Sequence, residues 1–287
     1  MAEEPSARNP RRRPGKPDFI SAGGLALALA GIAGGLLLEG GSLRDIAQFT
    51  AAMIVLGGTA GAVMVSTPFP ILKGAAGRLL AIFFDSTPDL GSAAEEVIGY
   101  ATKARKNGLV SLEQEAGLIE DPFLRKSLDL AVDGTDLQEI RKMLELEIEI
   151  DEQSAEAEAR VFEFAGGYAP TIGIIGAVLG LIQVMKNLAN IDNIGHGIAV
   201  AFVSTVYGVA SANLLFLPAA NKIRARIHAE AQRKELILEG VSGIVEGLNP
   251  KLIRAKLEAY TKSGASAKKP AKAGAAKASG QTAGAQG

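Results

Sequence analysis

"TIGIIGAVLGLI", residues Thr171–Ile182, carries no charge and no aromatic ring, and three glycines stand among its apolar residues. It lies inside a longer uncharged run, Phe164 to Met185. A bilayer core is crossed by roughly 20 apolar residues in a helix, so this run is long enough to span one. Three more runs meet the same condition: Phe19 to Leu38, Ile46 to about Thr67, and about Gly197 to Asn221. Lipid offers backbone groups no partner, so each reads as a helix. Short connections, "EGGSLRD" and "KNLANIDNIGH", join them into two hairpins. The expected fold is therefore all-α and integral to a membrane, with a helical domain between spans two and three.

The totals agree with this and narrow the chemistry. The chain has 287 residues, 48% of them hydrophobic, and no cysteine, which excludes disulfides and thiolate metal sites. Two histidines, His196 and His228, make an imidazole-based metal site or catalytic dyad a poor expectation. No cofactor, metal or enzymatic activity is expected, and no nucleic-acid partner. None of the four spans contains Asp, Glu, Lys or Arg. A self-contained pump or transporter needs an ionisable group within the membrane, so if the chain handles ions, a partner must supply the charged carrier.

The formal net charge of −1 averages over opposites. Asp85 to Glu163 holds 20 acidic and 8 basic residues, whereas Lys222 to the C-terminus holds 13 basic and 5 acidic. Most of these charges read as solvated helix faces. Lys and Arg close to the membrane fall mainly on the side of both termini and the long loop, among them Arg11, Arg12, Arg13, Lys73, Arg78 and Lys222. The opposite side has Arg44 and Lys186. That bias places the termini and the loop in the cytoplasm.

The chain then divides into a basic N-terminal extension (1–18), a first transmembrane hairpin (19–67), a cytoplasmic helical domain (68–163), a second hairpin (164–221), C-terminal cytoplasmic helices (222–260) and a Lys/Ala/Gly-rich tail (261–287). The tail is too poor in apolar residues to fold on a core. Within the loop, a helix from Leu90 should stop at Asn107-Gly108, a second should start at "SLEQE" with Ser111 as cap and Gln114 at capping-box spacing, and a third should run from Pro122 to Gly134.

Small residues recur at spacing four: Gly176 and Gly180 in span three, Ser204, Gly208 and Ala212 in span four, Gly31 and Gly35 in span one, Gly57 and Gly61 in span two. Such faces permit close approach, either between this chain's own helices or to a helix of another chain. Pro170 and Pro218 bracket the second hairpin. Each lacks an N–H and crowds a carbonyl four residues earlier, at Gly166 or Leu214.

With "GYAPTIGIIGAVLGLIQVM" and "GIAVAFVSTVYGVASANLLFLPAANKI" on the page, the chain resembles the MotA family of flagellar stator proteins, within the MotA/TolQ/ExbB group. The resemblance extends from about Asp18 to Tyr260. It implies a proton-conducting stator that turns ion flow into rotor torque, five copies of the chain surrounding two helices of a MotB-type, peptidoglycan-binding partner. The small-residue faces of spans three and four would line those helices. The family's functional prolines fall on Pro170 and Pro218, and its pathway threonine on Thr205. "ARKNGLVSLEQE" is similar to the segment that meets the rotor protein FliG, which makes Arg105 and Glu113 the rotor contacts. Sodium-driven members have a threonine where this chain has Ala177. A bare sodium ion needs several oxygen ligands, and alanine adds none, so protons are the expected coupling ion. The alternative within the group is an ExbB/TolQ-type energiser of an outer-membrane system. The two end segments have no counterpart in the resemblance.

Overall fold

The computed structural model describes residues 16–82, 84–85, 88–186 and 191–268. Arg11, Arg12 and Arg13 lie outside them. The fold is helical, and among the described residues the one strand pairing is a two-residue antiparallel ladder, β1 (Lys16–Pro17) with β2 (Phe84–Asp85). Among the described residues, four helices are long and apolar enough to cross a membrane. The chain forms two compact units, divided after Asp89, Leu137 and Glu235.

The first unit holds all four spans. Span one is α1 (Phe19–Leu38), started by Asp18, whose carboxylate accepts the Ile20 and Ser21 N–H groups. Span two is interrupted. A short α2 (Leu43–Ile46) ends at Ala47, and the chain resumes as α3 (Phe49–Ala52), a π turn (Met53–Gly57) and α4 (Gly58–Ser66). Tyr207 of span four donates its hydroxyl to the Ile46 carbonyl at 2.5 Å, beside the Gln48 N–H that donates to it at 3.1 Å, which ties the break to span four. Pro68 separates span two from the next helix, α5 (Phe69–Ala81). Span three is the last part of α9 (Leu137–Lys186), a 50-residue helix that continues through Pro170. Span four runs through α10 (Ile191–Ala210), a second π turn (Ser211–Phe216) and the start of α11 (Leu217–Val245). In the connection between spans three and four, residues 187–190 lie outside the described residues, and Ile191 to His196 already belong to α10.

Beneath the spans, α4, α5, α9 and α11 share a core that includes Val63, Ala75, Ala159, Phe162, Ala220 and Ile223. The opposite charges of α9 and α11 face one another across it. Lys234 meets Asp151, His228 meets Glu152 at 3.0 Å, and Arg224 reaches Glu156 at 2.8 Å and Glu163 at 2.5 Å. The charge segregation is thus partly internal pairing, where the sequence suggested solvated faces. From α5, Arg78 pairs with Glu158.

The second unit is built around α6 (Leu90–Asn107), α8 (Pro122–Val132), the last turns of α11 and α12 (Pro250–Lys268). Residues 68–163 are accordingly shared between the units. Gly108, Gly134 and Gly247 take positive φ values of 83°, 73° and 68°, a conformation that suits glycine at a helix end. Ser111 does not cap a helix. Its hydroxyl donates to the Gly108 carbonyl at 2.7 Å, inside a 3-10 turn (Leu109–Leu112) that leads into α7 (Glu113–Ala116). The predicted tail also begins later than composition suggests, because α12 continues to Lys268. Its earlier turns are anchored by Ile253 and Leu257, each 1% exposed. Extending an anchored helix is far easier than starting one, and alanine and lysine are good helix formers. Residues 269–287 lie outside the described residues.

Candidate functional site: the span-three and span-four crossing

"TIGIIGAVLGLI" has two faces. Gly173, Gly176 and Gly180 are buried, while Ile174, Ile175, Val178 and Leu179 are each about half exposed. The buried glycines lie directly against span four. A Cβ placed at Gly173 would be 2.9 Å from the Ser204 carbonyl oxygen, and one at Gly176 would be 2.6 Å from the Ser204 Cβ. One at Gly180 would be 2.7 Å from both the Ala201 nitrogen and the Gly197 oxygen. Span four answers in kind: a Cβ at Gly208 would be 2.5 Å from the Ala169 oxygen and 3.2 Å from the Pro170 Cα. Distances this short to backbone leave no room for any side chain, so the helices touch main chain to main chain.

This corrects one expectation. The glycine faces of spans three and four close on each other and do not line a central helix of another chain. The exposed face of span three is the opposite one, with Thr171, Ile174, Ile175 and Val178. Ser204 shares the closed side. It is fully buried, and its hydroxyl has no hydrogen-bond partner among the described residues.

The residues assigned to the ion pathway are placed unevenly around this crossing. Pro170 and Thr205 sit on either side of it, since the Thr205 Cα is 3.4 Å from a Cβ at Gly173. Both are half-buried, and the Thr205 hydroxyl leans toward the Ala201 carbonyl at 3.4 Å. Ala177 is two turns beyond Pro170, about 10 Å along the helix axis, and is half-buried. Pro218 is exposed and stands apart from the crossing. Its neighbour Leu217 packs on Gly166, whose added Cβ would be 2.6 Å from a Leu217 methyl.

The two prolines are accommodated differently. Around Pro170 the helix remains α-helical, and the residue four back is the glycine that receives Leu217. Pro218 follows the π turn, where the Leu217 N–H donates five residues back to the Ala212 carbonyl. The expected freed carbonyl at Leu214 assumes an unbroken α register, and that register has already slipped. Neither π turn is legible in the sequence.

In the second unit, Arg105 and Glu113 flank the Gly108 turn. Both are exposed, and among the described residues neither forms an ion pair. The pair that closes the turn is Lys103 with Glu115, at 2.6 Å. The structure therefore leaves Arg105 and Glu113 presented to solvent with their charges uncommitted.

Known proteins resemble this chain in sequence and in fold. A profile of the MotA/TolQ/ExbB proton channel family matches residues 115–236. Motility protein A of Bacillus subtilis (strain 168) is 36% identical over 247 residues, covering 85% of this chain and 90% of that protein. The chain belongs to the MotA family. Solved MotA-family structures superpose over most of its length. The C. jejuni MotAB structure matches with a TM-score of 0.81 at 33% identity, over 85% of this chain and 95% of that one. The flagellar MotAB stator complex of Bacillus subtilis matches with a TM-score of 0.80 at 33% identity, over 88% and 100%. The four spans, two hairpins and helical insertion of this chain are thus the MotA fold.

Proposed function

We propose that this chain is a flagellar motor stator subunit that works with a MotB-type partner, conducting protons and turning their flow into rotor torque. The observation that carries this reading is the pairing of a MotA fold with apolar runs, 19–38, 46–67, 164–185 and 197–221, that hold no Asp, Glu, Lys, Arg or His. Such a chain can shape an ion path but cannot carry the ion. The solved relatives are MotAB assemblies, in which a second protein is present to do so.

In this reading the chain assembles as five copies around two partner helices. The exposed face of span three, with Thr171, Ile174, Ile175 and Val178, meets the partner. The glycine lock behind that face makes it a firm wall. Thr205 and Pro170, at the crossing, adjoin the path of the carboxylate, and Thr205 offers a hydroxyl that can donate or accept without ionising. The ends bearing Lys73, Arg78, Lys222 and Arg226 are cytoplasmic, by the positive-inside bias. Arg105 and Glu113 meet FliG there. Exposed ion pairs are worth about 0–1 kcal/mol each, which suits contacts that form and release at each step. No catalytic step or cofactor is involved.

Proton coupling follows from Ala177, whose methyl gives a dehydrated cation no oxygen. The test is rotation of tethered, otherwise stator-less cells expressing the chain with its partner. Rotation should persist in sodium-free buffer and stop with a protonophore. Rotation that requires external sodium and ignores the protonophore would overturn the ion assignment. Failure to rotate with any MotB-type partner would overturn the stator reading.

A further inference from the structure

Lys222 stands one turn beyond Pro218, where α11 leaves span four. Its ammonium donates to the Asp18 carboxylate, to Ser21 Oγ at 2.5 Å and to the Ile82 carbonyl at 2.6 Å. A lysine has three N–H donors, and all three are used. Asp18 is equally committed. One oxygen accepts the Ile20 and Ser21 N–H groups, each at 3.1 Å, and the other accepts Ser21 Oγ–H at 2.9 Å together with Lys222. The Lys222 and Asp18 side chains are only 22% and 18% exposed. The Lys222 hydrogen bond, followed by those from Ser21, holds the Asp18 carboxyl far below the usual carboxylate range, so that carboxylate stays ionised. One turn further along α11, Arg226 donates to the same Ile82 carbonyl at 3.2 Å and to that of Phe84.

Three segments distant in sequence meet at this knot: the first turn of α1, the exit from α5 and the start of α11. Apart from the β1–β2 ladder just ahead of it (Lys16–Pro17 with Phe84–Asp85), span one has little else to hold it among the described residues. None of its side chains is buried, and its glycines have nothing within 4 Å of an added Cβ, Gly31 and Gly35 among them. The knot lies below the π turn and Pro218, on the far side of both from the glycine crossing. π turns and prolines are where helices bend.

We propose that Lys222 and Asp18 are positioning residues that fasten span one to α11, so that the first turn of α1 follows α11, and not the crossing above, when span four flexes at its π turn and Pro218. The rotational part of the test rests on the stator reading, while the structural part does not.

The experiment is hydrogen exchange on the full-length protein in nanodiscs, joined to rotation in cells, for Lys222→Met, Lys222→Arg and Asp18→Asn. In Lys222→Met, exchange should rise at least tenfold across residues 19–24 and 82–85 together, with residues 200–208 unchanged. Lys222→Arg keeps the charge and several donors and should stay within about twofold of the parent. Rotation speed should fall at least tenfold in Lys222→Met at normal membrane abundance, and Lys222→Arg should restore it. Unchanged exchange at residues 19–24 in Lys222→Met would overturn the proposal, and so would full-speed rotation with that segment loosened. If Lys222→Met fails to accumulate, Asp18→Asn, which keeps the size and the N-cap acceptor, is judged by the same two outcomes. A chain that rotates in no form but shows the exchange pattern counts against the stator reading and leaves the fastening of span one supported.

Discussion

Spans one and three carry the same small-residue spacing, Gly31 with Gly35 and Gly176 with Gly180, and the structure treats them in opposite ways. The first pair has nothing within 4 Å of an added Cβ, whereas the second lies 2.6 to 2.9 Å from atoms of span four. The difference is in the opposing helix. Span four presents Gly197, Ala201, Ser204 and Gly208 at matching heights, and span one meets no such helix among the described residues. Spacing permits close approach, but only a matched partner face uses it.

The contrast can be broken most sharply at Gly208. Its added Cβ would strike the Ala169 carbonyl, which is main chain and cannot step aside. Gly208→Val should lower stability by about 1–3 kcal/mol or more, the usual cost of overpacking, and abolish rotation. Thermal unfolding in detergent measures the first, and a tethered-cell assay the second. Gly176→Ala comes next, because Ser204 is a short side chain that can move only slightly. It should lower the midpoint by a few degrees, and pairing it with Ser204→Gly should recover most of the loss. If Gly176→Ala alone leaves the midpoint unchanged, the crossing is looser than the distances indicate.

A smaller effect is expected where the acidic and basic faces of α9 and α11 meet. Hydrogen bonding from Arg224 is the main cause that lowers the Glu163 pKa, and the same contact raises that of Arg224. A carboxylate with a depressed folded value adds stability above its unfolded pKa of about 4.3 and loses it as pH falls through the folded value. Glu163 is 47% exposed, so screening keeps the contribution under about 1 kcal/mol. Arg224→Gln should therefore unfold slightly earlier than the parent at pH 7, with the gap closing below about pH 4. A gap independent of pH would mean that Arg224 acts through packing. At the bottom of the scale, Gly35→Ala in span one should change stability by less than about 0.5 kcal/mol, as substitutions away from packed features do. A large loss there would reveal a neighbour against span one that the single chain does not contain.

The spans and the all-α class were legible because an uncharged run of bilayer length has few other uses. The turn glycines Gly108 and Gly134 were legible for local reasons of the same kind. What escaped depends on pairs far apart in the chain. Nothing near Asp151 or Glu156 predicts Lys234 or Arg224. Nothing near Gly176 says whether Ser204 or another protein's helix will face it. Ser111 misled because its capping-box spacing is real but its hydroxyl found the Gly108 carbonyl first. Of the candidate site, Pro170, Thr205 and Ala177 came from the resemblance, and the structure adds that the first two flank one crossing. Arg105 and Glu113 are exposed without ion partners among the described residues, an arrangement visible only once Lys103 and Glu115 are seen to take each other.

The π turn at Ser211–Phe216 has a consequence for the length of span four. A π turn holds one residue more than the α-helix it replaces, and it absorbs that residue without rotating the helix beyond it. Wound as a regular α-helix, the same residues would swing Lys222 and Arg226 about 100° around the axis, away from Asp18 and Ile82. The turn therefore acts as a vernier between two fixed scales, the glycine contacts above it and the cation contacts below. Removing Leu215 from within it should leave both scales aligned, whereas removing Val206 above it should misalign them.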